Sequence, residues 1–481
     1  MTNWKELALG EIVTMIDYRG KTPKKTSSGI PLITAKIVKN GRIYPPTEFI
    51  SKEEYKERMT RGLPKVGDVL ITTEAPLGEI AELKDANVSI GQRLITMRAD
   101  ENMLHGKYLK YYLQSKEGQS KLSQRESGTT VIGIKQAELR KVLIPLPPLD
   151  IQKKIAGVLG ALDDKIELNN KINNNLEQQT QALFKSWFVD FEPFGGTMPE
   201  DWKMIQLSDI ADFISGYSYK GTELQNSTVA MATIKNFDRS GGFKLDGFKE
   251  IIPSSKLKST QYVELFDTLV AHTDLTQNAE VIGNAEILYS KNSYQNIIIS
   301  MDVVKVLPKQ GISKFLLAAL LKDTRFKKHC LGYINGTTVL HLSKKALPEY
   351  RFVFPQDIKV VKNLSLLFEN IYRKIALNME ENTRLAAIRD ALLPKLMSGE
   401  IDVSNVDISA LTSTDKSSFR CRSPPKNISY RFSCYFPLNS VICDIFIRQF
   451  VEFFSHISAL FLHYLLDIIL FPSIHCVVLT R

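Results

Sequence analysis

Two distant segments of the chain share one hydrophobic rhythm. Across 150–188, core-type positions recur at four-then-three spacing: Ile155, Leu159, Leu162, Ile166, Asn169, Asn173, Leu176, Thr180 and Leu183. Across 357–393 the same spacing returns with Leu364, Phe368, Ile371, Ile375, Asn378, Asn382, Leu385, Arg389 and Leu392. A 3.5-residue period predicts helices that wind into a left-handed coiled coil. At ~1.5 Å per residue each would run roughly 55–60 Å. Prolines mark both starts. Pro147 and Pro148 cannot carry a helix in from before, and Asp150 is placed to cap. Pro355 and Asp357 repeat the device, and Pro394 is expected to end or kink the second helix. Both seams carry two asparagines near mid-helix, where a buried Asn costs stability but fixes register. Antiparallel pairing would bring these asparagines into one layer and set a globule at each end, with the helices as a ruler. The alternative is that each helix lies along its own globule; the matched asparagines favour the ruler.

The segments before the helices also repeat. "WKELALGEI" from Trp4 matches "WKMIQLSDI" from Trp202, "GDVLITTEA" (67–75) echoes "FDTLVAHTD" (266–274), and "SGTTVIGI" (127–134) matches "NGTTVLHL" (335–342). A short helix is predicted in each copy, over "KYLKYYLQS" (107–115) and "KFLLAALLK" (314–322). β-branched runs punctuated by Gly, Pro and Asn predict a small mixed sheet. The fold class is therefore α+β: two such globules, separated by two long helices. The expected boundaries are 1–147, helix 148–189, linker 190–201, 202–354 and helix 355–403. Ancestral duplication alone could account for the repeat; the fixed separation favours two similar tasks.

Composition adds a partner class. The formal net charge is +10, and residues 1–150 hold 24 Lys/Arg against 18 Asp/Glu. A basic balance favours nucleic acid. In "YRGKTPKK", Arg19, Lys21, Lys24 and Lys25 share one turn-rich loop suited to phosphate contacts, as does Lys220 in the second copy. Candidates for reading bases are Thr72, Thr73, Gln92 and Arg93 in the first copy, and His272, Thr273, Thr276 and Gln277 in the second. Thr129, Thr130, Thr337 and Thr338 follow glycines and offer hydroxyl donors to phosphate, although a plain turn leading into a strand explains them equally well. Ordinary solvated surface likewise stays open for any single lysine.

Catalytic motifs do not emerge. "YRGKT" lacks the glycine a phosphate loop needs five positions before Gly20, where Met15 stands. Asp68 with Glu82 and Lys84 only faintly resembles a nuclease pattern. The histidines show no metal-ligand spacing. With no leader-like N-terminus and five cysteines, four of them beyond residue 420, a reducing, cytoplasmic setting is expected.

These residues resemble the specificity subunits of type I restriction-modification systems. The carrying stretches are "IPLPPLDIQKKIAGVLGALDDKIELNNKINNNLEQ", "LFKSWFVDFEPF", "MPEDWKMIQLSDI" and "LAAIRDALLPKLMSGEIDV", which cover about 4 to 403. The resemblance implies two target-recognition domains, each reading half of a split DNA site. It implies spacer helices that dock two methyltransferase subunits, with restriction subunits joining for cleavage. No cofactor is expected in this chain; S-adenosylmethionine, ATP and Mg belong to the partner subunits. The divergence of 20–65 from 221–259 predicts two different half-sites. A protein-only coiled-coil scaffold and a self-contained restriction-methylation enzyme are the competing readings. Residues 404–481 fit no repeat. Their apolar run 453–472 contains His456, His463 and Asp467, a poor membrane span. This tail is expected to lie outside the fold, as translation beyond the family's usual end.

Overall fold

The computed structural model describes residues 4–128, 131–239 and 241–406. The first long helix, here α2, spans Leu149–Phe188, and the second, α4, spans Lys362–Met397. They pair antiparallel, with the asparagines in one layer. Asn169 Nδ2 donates to Asn382 Oδ1 at 2.9 Å and to Glu381 at 2.8 Å. Asn378 Nδ2 donates to Asn173 Oδ1 at 2.7 Å, and Asn382 Nδ2 to Asn170 at 2.9 Å. Asn169 and Asn378 are buried. In that setting an unpaired amide would cost about 1–3 kcal/mol, so the matched layer penalises a slipped register.

The helix ends differ from expectation. Pro148, not Asp150, is the N-cap of α2, and Asp150 falls in the first turn, where a carboxylate suits the helix dipole. Asp357 caps a short 3₁₀ turn, Ile358–Val361, that leads into α4. Pro394 does not end the helix: α4 runs through it to Met397. A proline this close to the end removes one helical bond, and burial of Leu396 and Met397 in the first globule's core holds the last turn.

Each globule repeats one plan. Its first strand pairs antiparallel with the strand that leads toward the long helix, Lys5–Ala8 with Leu143–Leu146 and Trp202–Gln206 with Arg351–Pro355. The first copy then builds an antiparallel sheet from β1 (Val13–Asp17), β2 (Val69–Thr73), β3 (Leu77–Glu82) and β4 (Leu94–Ala99), in the order β1-β4-β2-β3. The second uses β5 (Ala211–Ser215), β6 (Thr268–Ala271), β7 (Ala285–Ile287) and β8 (Val303–Pro308), in the order β5-β8-β6-β7. Helices α1 (Gly106–Gln114) and α3 (Lys314–Leu321) follow, as the apolar runs predict.

A smaller sheet in each copy shares three strands and differs in the fourth. The parallel pair is Ile30–Ile33 with Ser89–Ile90, and Val229–Ala232 with Asn296–Ile299. In the first copy the extra edge strand is Lys25–Thr26, beside Phe49–Ile50. In the second it is Tyr262–Val263, on the opposite edge beside Asn296–Ile299. The diverged sequence stretches thus keep a common centre and change its margin.

Both globules grip both helices. Ile155, Ala156 and Leu159 at the start of α2 share one core with Tyr108, Leu109 and Tyr112 of α1 and with Leu396 and Met397 at the end of α4. At the other end, Phe188 of α2 packs on Trp202 and Phe354 at centroid distances of 5.2 and 6.1 Å, while Tyr372 of α4 stacks on Phe315 of α3. Gln152, buried in the first turn of α2, donates to Met103 and Pro147 carbonyls and accepts from the His105 N–H at 2.9 Å. Charged clusters reinforce both ends. Asp163 of α2 meets Lys110, Tyr111 and Arg389 at 2.7–3.1 Å. Glu177 of α2 and Glu286 of β7 share Lys322, at 3.1 and 2.8 Å.

The boundary after 403 also shifts. Val403 is buried in the first core and Val406 packs against it, so the fold continues to 406. The rest of the 404–481 segment lies outside the described residues. Among the described residues no helix is long and apolar enough to cross a membrane.

Candidate nucleic-acid interface

In both copies the Gly-Thr-Thr turn is pinned to the end of the central strand. Ser127 and Gly133 exchange backbone bonds at 2.8 and 3.0 Å, and the Ile134 N–H donates to Thr73 O at 2.9 Å. In the second copy Asn335 pairs with His341, and the Leu342 N–H donates to His272 O at 2.9 Å. Gly128 and Gly336 sit at φ of 113° and 104°. A Cβ at these positions would lie 2.3 Å from Val131 O and 2.2 Å from Val339 O. The turn therefore needs glycine at both sites. Thr337 and Thr338 are exposed at its tip; their first-copy counterparts Thr129 and Thr130 lie outside the described residues.

Beside the first turn is an open cleft of about 580 Å³, bordered by Arg19, Thr73, Glu74, Gln92, Arg93, Ser127 and Lys135. Four of the residues singled out by type and position in the sequence meet here. Arg93 Nε is 2.9 Å from Glu74, with both side chains well exposed. Arg19 is held by Asp17 at 2.6 Å. Gln92 accepts from Thr22 of the basic loop at 3.3 Å. That loop is less positive than its sequence implies, because Lys25 pairs with Glu48 at 2.9 Å; Lys21 stays charged and donates to the Thr60 hydroxyl at 2.9 Å. Lys24 is exposed.

Thr72 and Thr73 are buried. The Thr72 hydroxyl accepts the Glu79 N–H at 2.9 Å, and the Thr73 backbone braces Arg93 and Ile134, so both serve the turn's own structure. Thr273 is likewise buried, with its hydroxyl on Asp302 at 3.1 Å. In the second copy Thr276 donates to Asp274 at 2.8 Å, and Gln277 Nε2 donates to the Thr337 carbonyl, tying the 274–281 loop to the Gly-Thr-Thr turn. Burial would raise the Asp274 carboxyl, but the N–H groups of Val281, Thr276 and Ile282 outweigh it and hold the group below the usual carboxylate range. Burial, with His341 and Lys344 nearby, lowers the His272 imidazole below its ordinary value. At neutral pH it offers a neutral donor and acceptor rather than a cation. Lys220 is exposed, and its N–H is capped by Glu223 at 2.6 Å.

The faint nuclease pattern dissolves. Asp68 is buried, accepts the Lys65 N–H at 2.8 Å and pairs with Arg98 at 2.8 Å, which makes it a turn anchor. Among the described residues no group of His, Cys, Asp and Glu could hold a metal.

Residues 1–178 match the type I restriction modification DNA specificity domain. The chain is similar to the specificity subunits of type I restriction enzymes. It is 27% identical over 436 residues to the MjaIX specificity subunit of Methanocaldococcus jannaschii, covering 84% of this chain and 98% of that one. It is 24% identical over 475 residues to the HindI specificity subunit of Haemophilus influenzae, covering 83% and 100%. The fold is similar to the crystal structure of the type I S subunit from M. genitalium, with a TM-score of 0.50 at 17% identity over 82% of this chain and 96% of that one. Residue type alone does not single out Glu74, Ser127 and Lys135, which border the cleft, or Asp302, which holds the Thr273 hydroxyl. Pairing places Glu74, bridged to Gly133, and Asp302, whose carbonyl accepts the His272 N–H.

Proposed function

We propose that this chain is the DNA-specificity subunit of a type I restriction-modification enzyme, with two recognition domains, 1–147 and 202–354. Each domain reads one half of a bipartite, asymmetric double-stranded target. The spacer helices 148–189 and 355–403 set the gap and dock two methyltransferase subunits, and restriction subunits complete the assembly. The chain itself is non-catalytic; S-adenosylmethionine, ATP and Mg act in the partners. The carrying observation is the asparagine-pinned antiparallel helix pair with an equivalent Gly-Thr-Thr turn, pinned to the central strand, at each end. Arg19, Lys21, Lys24, Lys25, Lys220 and the threonines of both Gly-Thr-Thr turns are the phosphate-facing candidates, and Gln92, Arg93, His272 and Gln277 face bases. Leu168, Leu377 and Ile388 are exposed apolar residues on the helix pair, which supports a protein partner along it.

Methylome sequencing of a host with and without this gene tests the reading. The expected result is loss of adenine methylation at one asymmetric, interrupted sequence. Unchanged methylation, or loss at a palindrome, would overturn it.

A further inference from the structure

The two recognition platforms share a backbone frame precise enough to align residues that the sequences do not. The Gly91 N–H donates to Ile33 O at 2.7 Å, and the Ser300 N–H to Ala232 O at 3.0 Å. Two residues on, Arg93 O accepts the Thr73 N–H at 3.0 Å, and Asp302 O accepts the His272 N–H at 2.8 Å. The next residues, Leu94 and Val303, open β4 and β8 opposite Thr72 and Ala271. Gln92 therefore corresponds to Met301, Arg93 to Asp302, and Glu74 to Thr273. The partnerships correspond as well: Arg93 binds Glu74 at 2.9 Å, and Asp302 accepts from Thr273 at 3.1 Å. One position thus carries a forked cation in one copy and an acceptor-only anion in the other. Its neighbour is an amide in one and an exposed thioether, Met301, in the other.

These types are informative on a surface that meets DNA. An arginine serves either a phosphate or a guanine edge, but a carboxylate is repelled by phosphate and finds a partner only in an exocyclic amino group, as on cytosine N4. Resting on the function proposed above, we propose that this shared position is the base-discriminating site of each domain. Arg93, oriented by Glu74, reads a guanine in one half-site; Asp302, oriented by Thr273, reads a base presenting an amino group in the other. Gln92 and Met301 extend the contrast, since Met301 offers an apolar contact for a thymine methyl and no hydrogen bond.

The test uses the full chain assembled with its methyltransferase subunits, with the methylome as readout, and compares R93A, R93K and D302N with the wild type. R93K keeps the charge but not the fork, and D302N keeps an acceptor for Thr273 while adding a donor. The expected result is that R93A and R93K relax one guanine position of one half-site, with preference falling about 5- to 150-fold. D302N should relax one position of the other half-site only. Uniformly weaker methylation by both Arg93 variants, with every base preference intact, would overturn the inference and leave the proposed function standing. So would Arg93 and Asp302 variants that change the same half-site. A wild-type complex without any sequence preference would overturn both.

Discussion

The two globules are built to one backbone plan and furnished with different side chains. Where the first copy turns into its central strand at Gly67, with φ of 89°, the second turns at Phe266, with φ of 68°. That conformation strains a residue carrying a Cβ by about 1–3 kcal/mol. Phe266 is held there by packing: its ring lies 5.4 Å from Phe315, and the Arg373 guanidinium of α4 is 5.2 Å above it. The same turn is thus reached once by conformational freedom and once by contact with the helices. The helix clamps differ in the same way. Asp163 joins α1, α2 and α4 in a half-buried cluster, whereas Lys322 bridges two acids in a setting where Glu286 is almost wholly buried. Conserving hydrogen-bonded geometry while exchanging side chains lets one scaffold serve two recognition tasks.

The largest predicted difference lies in those clamps. Lys322→Met leaves Glu286 and Glu177 without their cation and should destabilise the second globule by about 3–5 kcal/mol. Asp163→Asn, at the more accessible end, should cost about 1–3 kcal/mol. Urea denaturation followed separately in each globule checks this, and equal losses would erase the distinction. Next come the turns. Gly336→Val should cost the second turn about 1–3 kcal/mol and weaken binding to one half-site duplex only, with Gly128→Val acting on the other. Gel shifts with single half-site duplexes show whether the two act independently. Asn169→Leu removes the amide donor to Asn382 Oδ1 and Glu381 in the seam and should lower stability by about 1–2 kcal/mol while blurring the register, read as a broadened distance between spin labels on the two helices.

The smallest effect is with pH. Burial and the cations Lys171 and Lys84 act oppositely on Glu167, and the cations prevail, holding it down to about 2 from 4.5. Burial would raise Asp163, but Lys110, Arg389 and Tyr111 hold it below its ordinary 3.8. A carboxyl lowered on folding stabilises above its unfolded value and loses that contribution as pH falls through the folded one. The Glu167 contribution should therefore be lost between about pH 4.5 and 2, and the first clamp should loosen as pH falls below 3.8, a slope that D163N should flatten in thermal melts. At the second clamp burial raises Glu286, so its protonation does not add to the same acid-labile trend.

What the chain shows without coordinates follows from which interactions are local. The 3.5-residue seam, the matched asparagines and the Gly-Thr-Thr turns depend on neighbours a few residues away. Their pairing, Asn169 with Asn382 and Asn173 with Asn378, is what the pattern predicts. Helix ends were less legible, because packing of Leu396 and Met397 overrides Pro394. The equivalence of Arg93 and Asp302 was invisible, since nothing in the side chains matches and only the bonds to Thr73 and His272 align them. Thr72, Thr73 and Thr273 looked available by residue type, but β-pairing buries them.

The most direct test of a duplicated reader on a fixed ruler is a chimera in which residues 202–354 are replaced by a second copy of 1–147, assembled with its methyltransferase subunits. The account predicts methylation of an inverted repeat of the first half-site with the wild-type gap. Methylation of the original asymmetric sequence, or of a site whose gap has changed while the helices are intact, would contradict it.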